Sequence, residues 1–367
     1  MEIQDKRVPV TLLTGFLGAG KTTLLNQLIR DPEAGHVAVI INEFGDVGLD
    51  HDLIEEVTEE VMLLRSGCLC CSIRGDLGKT LATLIARRMN GKLNFDRVVI
   101  ETTGIADPGP ILHTLVVDEF IAPHYRMDGV VTLADAATGP FTLDTNIEAL
   151  NQVAVADLLV LTKTDLVSAD EFGRFEARLD GLNKTAKRVR ANHGQIPTGM
   201  LFGLSAMQPG ATSEDIEVWL GSATGQTAHS KPGHHADTHG HGVHHHHESR
   251  FCSVSIEVPD PIPANVFDFW LDTLIALRGP NILRIKGIAH IEDIAWPFVF
   301  HGVQHIFDPP VPLKSWTGMD KTSRVVVIAR DIDREDLEAS LAMLRMQPSE
   351  LETHLNGSTV QAVDTSP

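Results

Sequence analysis

One stretch decides the fold of this chain: Gly15-Phe16-Leu17-Gly18-Ala19-Gly20-Lys21-Thr22, which matches the phosphate-binding pattern G-x-x-x-x-G-K-[ST] at every position. Residues 8–14 (VPVTLLT) ahead of it form an apolar, β-branched run of strand length, and residues 22–30 (TTLLNQLIR) behind it carry a helical stripe of Leu and Ile. Glycines let backbone N–H groups turn towards phosphate oxygens, and the helix N-terminus adds its positive dipole end. A Gly-rich turn that fits by chance would lack this strand and helix. The sequence therefore predicts a phosphate site between a first strand and a first helix, with Lys21 on the β- and γ-phosphates and Thr22 on Mg²⁺.

Length, charge and cysteine content restrict the class of protein. With 367 residues the chain is longer than the size at which proteins usually form one hydrophobic core, so two domains are expected. The formal net charge of -19 argues against a nucleic acid or an anionic membrane as partner, because both need a basic surface. Three of the 4 cysteines are packed into Cys68-Leu69-Cys70-Cys71, which is no disulfide framework and fits a reducing cytoplasm. Without a signal-peptide pattern or an apolar run of about 18 residues, the sequence predicts a soluble cytoplasmic protein.

The first part of the chain alternates apolar runs with amphipathic segments, which indicates a parallel sheet covered on both faces. We therefore predict an α/β, doubly wound P-loop domain over residues 1–226, with its phosphate loop where such sheets bind ligands. The predicted strands are VPVTLLT, HVAVIIN from His36, RVVIET from Arg97, MDGVVTLAD from Met127 and DLLVLTK from Asp157. The predicted helices cover residues 22–30, 77–89, 110–120, 146–155 and 169–182.

The second part changes character. Residues 227–248 are rich in Gly, Ser, Thr and His, which predicts a flexible linker. Residues 249–351 then carry strand patterns in FCSVSIEV, ILRIKGIAHI, FVFHGVQHIF and SRVVVIA, with helical patterns over 264–278 and 334–344. This order predicts a smaller α+β domain with an antiparallel sheet, followed by a polar tail over 352–367.

Two motifs downstream of the phosphate loop complete a nucleotide site. Glu101 ends the strand RVVIE, where a nucleotide hydrolase places a carboxylate near Mg²⁺, and Gly104 three residues later admits the γ-phosphate. The sequence Thr162-Lys163-Thr164-Asp165 resembles the guanine-reading motif N-K-x-D, in which the Asp carboxylate accepts from both N1–H and N2–H₂ of guanine. Since Thr162 lacks the amide of Asn, we expect a selectivity for GTP that is lower than the full N-K-x-D motif would provide.

Two groups of side chains are candidate metal ligands. Three thiols within residues 68–71 can converge on one soft or borderline cation, with Glu43 as an oxygen ligand, although inert buried cysteines are the alternative. The linker contains nine histidines between His229 and His247, which suit Zn, Co, Ni and Cu in a flexible, low-affinity collecting arm; a merely solvated linker is the alternative. The linker ligands that we predict are His234, His235, His239, His241, His244, His245, His246 and His247.

Several of these segments together resemble the CobW-like GTPases, a family of metal chaperones and metal-insertion proteins. The segments that carry the resemblance are GFLGAGKTT, INEFGDVGLD, GCLCCSIRGDL, ETTGIADP and LTKTD, in this order, together with ILRIKGI and HGVQHIFD in the second domain. The resemblance covers nearly the whole chain. It implies GTP and Mg²⁺ as ligands of the first domain, and Zn²⁺ or Co²⁺ as the metal that is handled.

By this resemblance, the roles of individual residues follow. Glu101 is the acidic switch residue, and Lys21, Thr22 and Glu101 take part in hydrolysis. The internal metal site is implied to be Glu43, Cys70 and Cys71, with Cys68 as an additional ligand. The implied nucleotide contacts are Gly15, Gly18, Ala19, Gly20, Lys21, Thr22, Thr23, Gly104, Thr162, Lys163 and Asp165.

The sequence as a whole predicts a cytoplasmic GTPase whose nucleotide state controls the release of zinc to an unidentified metalloprotein client. Hydrolysis is expected to be slow, because no arginine in the sequence is clearly a catalytic finger. A cobalt chaperone linked to cobalamin or cobalt-enzyme assembly is one alternative, and a nucleotide-gated regulatory protein with a structural metal is another. No nucleic acid or membrane partner is expected, and the oligomeric state is left open.

Overall fold

The chain divides into two compact units, Met1–Ser249 and Arg250–Pro367. The structure is a computed structural model that describes residues 5–41, 63–65, 73–206, 212–221, 250–304, 306–307, 310–314, 316 and 320–351. The linker predicted over 227–248 and the tail predicted over 352–367 lie outside the described residues.

The first unit is built on a parallel sheet, seven-stranded within the described residues, with the strand order β3-β2-β4-β1-β5-β6-β7. The strands are β1 (Val8–Gly15), β2 (Val37–Ile41), β3 (Leu63–Arg65), β4 (Arg97–Glu101), β5 (Tyr125–Asp135), β6 (Leu158–Thr162) and β7 (Lys187–Arg190). The helices are α1 (Lys21–Arg30), α2 (Ile73–Met89), α3 (Gly109–Val117), α4 (Gly139–Thr145), α5 (Ile147–Val155), α6 (Ala169–Leu182) and α7 (Ser213–Leu220). Helices connect the parallel strands, as parallel pairing requires, and this arrangement confirms the predicted α/β class.

Burial explains why the central strands are continuous apolar runs. Val10 and Leu12 of β1 are fully buried, and so are Val98 and Ile100 of the neighbouring β4. Both faces of a parallel sheet are covered by helices, so neither face of these strands can carry polar side chains without a partner. Tyr125 at the start of β5 is also fully buried, and its hydroxyl donates to the Leu81 carbonyl of α2 at 2.8 Å.

The boundaries of some elements differ from those predicted. The helix predicted over 110–120 ends at Val117, because Asp118 adopts an extended backbone and its carboxylate accepts from Phe120 N and Ile121 N. The first-domain elements β3, α4, β7 and α7 were not predicted. Strand β7 (KRVR) was missed because its charged side chains do not form an apolar run; it lies at the edge of the sheet, where they remain partly exposed.

The second unit is an antiparallel sheet covered by helices, which confirms the predicted α+β class. Within the described residues the sheet has the order β11-β10-β9-β13-β8, with β12 paired to β10. The strands are β8 (Phe251–Val258), β9 (Ile282–Ala289), β10 (Phe298–Val303), β11 (Ile306–Phe307), β12 (Val311–Pro312) and β13 (Ser323–Arg330). The helices are α8 (Ala264–Arg278) and α9 (Arg334–Ala342).

Aromatic packing fills the core of this second unit. Trp270 of α8 is 1% exposed, and the ring of Phe267 contacts Phe300 of β10 edge-on, with the ring centroids 5.3 Å apart. Phe300 lies directly opposite Gly287 of β9, and a Cβ at Gly287 would be only 2.3 Å from Phe300 Cζ. The strand predicted through FVFHGVQHIF is interrupted at Gln304, whose φ of 57° turns the chain between β10 and β11.

Replacement of Gly287 by alanine should destabilise the second unit. The added methyl forces the ring of Phe300 away from its packed position, a kind of overpacking that costs about 1–3 kcal/mol. Scanning calorimetry of the whole chain should show a lower unfolding temperature for the second unit. The matched control is Gly173→Ala in α6, where a Cβ meets nothing within 4 Å, and this exposed helical site should gain about 0.5–1 kcal/mol. Equal transitions for wild type and Gly287→Ala would show that Phe300 moves aside without cost.

Candidate functional site

The candidate site lies at the carboxyl edge of the first sheet, where β1, β4, β5 and β6 end together. Strand register places Leu13 beside Glu101, Gly15 beside Leu133, and Asp135 beside Thr162. Ligands of open α/β sheets bind at this edge. The site therefore brings together segments that are far apart in the sequence; Gly15 and Thr162, for example, are separated by 147 positions.

The loop that leaves β1 has the backbone that its glycines predict. Gly15, Gly18 and Gly20 have φ values of 143°, 74° and 99°, a region that side chains rarely allow. At Gly15 there is also no space, because a Cβ would lie 2.7 Å from the carbonyl oxygen of Leu133. The loop ends at Lys21, where α1 begins, so the helix N-terminus faces the cradle that the loop forms.

Lys21 holds a buried positive charge at this loop. Its side chain is 9% exposed, and its Nζ donates to the carbonyl oxygens of Gly15 at 2.8 Å and Phe16 at 3.2 Å. A buried ammonium is costly unless it is hydrogen-bonded or paired with an anion. The ammonium, the helix N-terminus and the glycine backbone together form a donor set that suits a polyphosphate.

Thr22 and Glu101 bring oxygen ligands together beside the loop. The Thr22 hydroxyl donates to Glu101 Oε1 at 3.4 Å, and the Glu101 side chain is 6% exposed. A hydroxyl and a carboxylate are ligands that Mg²⁺ accepts, together with phosphate oxygens and water. Behind them, Thr102 Oγ1 donates to Thr14 Oγ1 at 2.8 Å and ties β4 to β1. The pair predicted to hold Mg²⁺ is therefore adjacent in the structure.

The residues after Glu101 pack directly on the phosphate loop. A Cβ at Gly104 would lie 2.6 Å from the backbone nitrogen of Leu17, so only glycine allows this approach. The hydroxyl of Thr103 is buried and has no hydrogen-bond partner within the described residues. A buried hydroxyl of this kind calls for a polar ligand or a water molecule. Both observations fit a nucleotide whose last phosphate lies between the two segments.

The base-reading motif is attached to the phosphate loop. Thr162 Oγ1 donates to the Ala19 carbonyl at 2.9 Å, so this threonine bonds to the loop although it lacks an amide. Lys163 has a left-handed backbone with a φ of 53°, and its Nζ forms an ion pair of 2.6 Å with Asp135. Asp165 follows on the exposed side of the site. The structure thus brings the predicted base-side residues next to the predicted phosphate residues.

Asp135 was missed by the sequence analysis. It is 6% exposed and accepts from Lys163 Nζ, from the Thr138 hydroxyl at 2.9 Å and from Ala137 N at 2.8 Å. Burial would raise the pKa of Asp135, but these hydrogen bonds outweigh burial and hold the pKa below its usual value. The carboxylate is therefore a fixed anion that orients Lys163. Its position at the end of an apolar strand was the available signal.

A turn over 192–195 was also missed. Asn192 and Gln195 pair across it, with Gln195 N donating to Asn192 O at 2.9 Å. A Cβ at Gly194 would lie 3.0 Å from Thr23 Cγ2, so the turn packs against the first turn of α1. The turn follows β7, and because β7 was not predicted, the position of the turn was not predicted either. Gln152 of α5, which bonds to the carbonyl oxygens of Gly104 and Ala106, was likewise missed.

None of the predicted metal ligands is among the described residues. Glu43, Cys68, Cys70 and Cys71 lie outside the described residues, and so do the eight histidines predicted in the linker. Among the side chains that the structure describes, no group of three or more His, Cys, Asp or Glu could hold a metal ion. In the same part of the chain, no helix is both long and apolar enough to cross a membrane.

Two families of known domains match the chain. Residues 9–190 match the family described as CobW/HypB/UreG, nucleotide-binding domain. Residues 251–345 match the family described as Cobalamin synthesis protein cobW C-terminal domain. The matches coincide with the parallel-sheet unit and the antiparallel-sheet unit.

Characterised proteins are similar over most of their length. The zinc chaperone YjiA of Escherichia coli is 32% identical over 340 residues, which cover 92% of this chain and 99% of that protein. The zinc chaperone CobW of Pseudomonas aeruginosa is 32% identical, with 89% of each chain covered. The zinc-regulated GTPase metalloprotein activator 1 of Schizosaccharomyces pombe is 31% identical and covers 89% of this chain and 83% of its own.

A solved structure gives the same result. The zinc-bound YjiA GTPase of E. coli superposes with a TM-score of 0.69 at 29% identity, covering 93% of this chain and 99% of that chain. The phosphate loop, Glu101 and the Thr162–Asp165 motif all lie within the first matched domain. The chain therefore belongs to the CobW/HypB/UreG family of nucleotide-binding proteins and carries the CobW C-terminal domain.

Proposed function

We propose that this protein is a GTP-hydrolysing metallochaperone that binds a transition metal, in the first place zinc, and delivers it to a client metalloprotein in a nucleotide-dependent way. The observation that carries the proposal is the contact between Thr22 and Glu101 beside the phosphate loop, in a chain similar to zinc chaperones over nearly its whole length. Glu101 belongs to the segment that packs on the loop through Gly104. A change at the γ-phosphate would therefore first alter the position of this segment.

The phosphate side of the proposal rests on charge and space. Lys21 supplies a positive charge at the loop, and Thr22 with Glu101 would hold Mg²⁺, which neutralises the charge that develops on the phosphate oxygens. In the reaction, the oxygen of a water molecule forms a bond to the γ-phosphorus. The bond between this phosphorus and the oxygen that bridges to the β-phosphate breaks, and GDP and inorganic phosphate leave. The chain's own part is to position the phosphates and to stabilise their charge. Slow hydrolysis stays a prediction.

The base side supports guanine. Asp165 would accept two hydrogen bonds from guanine, while Lys163, oriented by Asp135, covers the base. The turn over 192–195 packs on Thr23 and would close the other side of the base. Adenine offers no matching pair of donors to a carboxylate, so an unpaired charge would penalise ATP.

The metal side rests on the residues and on the relatives. Glu43, Cys68, Cys70 and Cys71 provide thiolate and carboxylate ligands that suit zinc. Helix α2 begins at Ile73, two residues after Cys71. Its Gly78 lies 3.5 Å, measured from a built Cβ, from the Asp118 carboxylate at the end of α3. Since α3 follows the segment that starts at Glu101, the cysteine stretch is connected to the nucleotide site through two packed helices.

Cobalt is the second candidate metal. The matched C-terminal family is described as a domain of a cobalamin synthesis protein, and cobalamin contains cobalt. Thiolate and imidazole ligands accept both ions, so the ligand set alone favours neither. Metal analysis of the untagged protein from its own host, with GTP or GDP bound, distinguishes the two.

Guanine selectivity should depend on Asp165. Competition binding should rank GTP above ATP in the wild type, and Asp165→Asn should reduce the difference, because the amide replaces one acceptor oxygen by an NH₂ group that would face a guanine donor. The exposed acid Asp170, five residues further on, provides the control Asp170→Asn, which should keep the wild-type ratio. Lys21→Ala should abolish tight binding of both nucleotides. Equal affinities of the wild type for GTP and ATP would contradict guanine reading.

Metal affinity should depend on the nucleotide. Titration with Zn²⁺ or Co²⁺ in the presence of GDP and of a non-hydrolysable GTP analogue should give affinities that differ by a factor of about 5 to 150, and the metal must shift the nucleotide affinities by the same factor. Cys70→Ala combined with Cys71→Ala should remove the effect. Cys252→Ala, at a half-buried cysteine of the second unit, should leave it intact. One metal affinity in both nucleotide states would mean a static, structural metal.

Deletion of residues 227–248 should remove several weakly bound metal equivalents and leave GTP binding unchanged, because the segment carries imidazoles and no core-forming pattern. Metal titration with equilibrium dialysis gives the stoichiometry. A variant of unchanged length, with the nine histidines replaced by serine, separates the ligands from the spacing that the linker provides. Unchanged stoichiometry in both variants, or loss of the folded state, would show that the linker is not a collecting arm.

A further inference from the structure

The side chain of Gln152 occupies an unusual place for an amide. It lies in the middle of α5, in the apolar sequence IEALNQVAV, and is 1% exposed. Its Nε2 donates to the carbonyl oxygens of Gly104 at 3.2 Å and Ala106 at 3.3 Å. One buried amide thus holds two carbonyl groups of the segment that follows Glu101.

This segment is held from two sides. On one side Gly104 packs on the backbone of Leu17 in the phosphate loop. On the other side the Gln152 amide binds its carbonyl groups, and Ala106 N donates to Thr103 O at 3.1 Å to close the turn. The turn over 104–106 is therefore in contact with the phosphate loop on one side and hydrogen-bonded to α5 on the other.

The two ends of the Gln152 amide differ in their hydrogen bonding. Its Oε1 is buried and has no hydrogen-bond partner within the described residues. A buried acceptor without a partner is unfavourable, whereas an apolar side chain of similar size would leave no polar atom unpaired on α5. The backbone of the same residue is held independently, because Thr132 Oγ1 donates to Gln152 O at 2.8 Å. The side chain is thus needed for what its two donors hold.

We propose that Gln152 is a positioning residue for the γ-phosphate: it holds the 104–106 turn against the phosphate loop, so that the protein distinguishes GTP from GDP. The inference rests on the proposed function as a GTP-binding protein and adds the residue that sets its response to the third phosphate. The backbone N–H groups of the loop are expected to bind the α- and β-phosphates, and Lys21 the β- and γ-phosphates, whereas Gln152 holds only the turn that would meet the γ-phosphate. Loss of the amide therefore affects GTP and spares GDP.

The same turn leads towards the predicted metal cluster. Directly after it, Asp107 Oδ1 accepts from Gly109 N at 2.9 Å and starts α3. Helix α3 packs on α2 near Gly78, and α2 begins just after Cys71. A turn that is free to move would transmit less of the nucleotide state to α3. Gln152 thus holds the segment that leads from Glu101 to α3, which packs on α2.

The test compares full-length wild type with Gln152→Leu and with Thr132→Val. The Leu variant is of similar size and removes both donors, whereas Thr132→Val removes the hydrogen bond from the Thr132 hydroxyl to the carbonyl oxygen of residue 152 and keeps the amide. Affinities for GDP and for a non-hydrolysable GTP analogue are measured with fluorescent nucleotides. For Gln152→Leu we expect about a 10-fold loss for the analogue, the worth of two modest hydrogen bonds, and GDP affinity within about 2-fold of wild type. Thr132→Val should keep the wild-type ratio of the two affinities.

A second variant, Gln152→Glu, adds a pH readout. Its carboxylate would face two carbonyl oxygens, so analogue binding at pH 8 should be weaker than in Gln152→Leu. Burial raises the pKa of such a carboxyl, and its protonated form regains one donor, so analogue affinity should recover as the pH falls to 6 while wild type changes little. The dependence on pH separates positioning from a merely structural role.

The outcomes are distinguishable. An unchanged ratio of analogue to GDP affinity in Gln152→Leu would overturn the inference, and so would an equal loss for both nucleotides, which would mean damage to the phosphate loop. Wild-type protein that bound neither guanine nucleotide would overturn the proposed function, and this inference with it. Selective loss of the analogue, with recovery of Gln152→Glu at low pH, supports the inference.

Discussion

The close approach of Gly15 to β5 is the constraint on which the rest of the site depends. The loop can leave β1 only because Gly15 has a φ of 143° and no Cβ beside the carbonyl oxygen of Leu133. Any side chain at this position would push the loop away from β5 and move the start of α1. Lys21 and Thr22 are the first residues of that helix, so their positions follow from the backbone of one glycine. A phosphate cradle of this kind is therefore a property of backbone geometry before it is one of side chains.

Around this constraint, three attachments hold the loop. Lys21 Nζ binds the carbonyl oxygen of Gly15 from inside, Thr162 Oγ1 binds the carbonyl oxygen of Ala19 from the base side, and Gly104 packs on Leu17 from the side of Glu101. Lys21 belongs to the first turn of α1, whereas Thr162 ends β6 and Gly104 follows the end of β4. A preorganised site of this kind holds its donors in place before the ligand arrives, which is where much of the affinity and the rate of a nucleotide enzyme originates.

The electrostatics of the site are local and opposed to the charge of the whole protein. The chain has a formal net charge of -19, yet it presents Lys21 and a helix N-terminus at one edge of the sheet. Asp135 with a lowered pKa pairs with Lys163, and buried Glu101 meets Thr22. Both acidic side chains thus accept hydrogen bonds from neighbouring groups, while Lys21 and the helix N-terminus supply local positive charge at this edge of an acidic protein.

The sequence by itself determined the fold class, because continuous apolar runs such as β1 and β6 have to be buried on both faces and need helical crossovers. It also indicated Lys21 and Thr22 through their fixed spacing in the glycine loop, and Glu101 and Asp165 through short motifs at the ends of apolar strands, because each of these patterns is a local property of the chain. Only the tertiary structure decided the positions of Asp135 and Gln152, since their partners lie 28 and 48 residues away. Strand β7 was not predicted, because an edge strand can keep its charged side chains and then forms no apolar run. The turn that follows β7 and packs against α1 was not predicted for the same reason. Long-range contacts of single polar residues leave no periodicity in the sequence, which is why the structure was needed to find them.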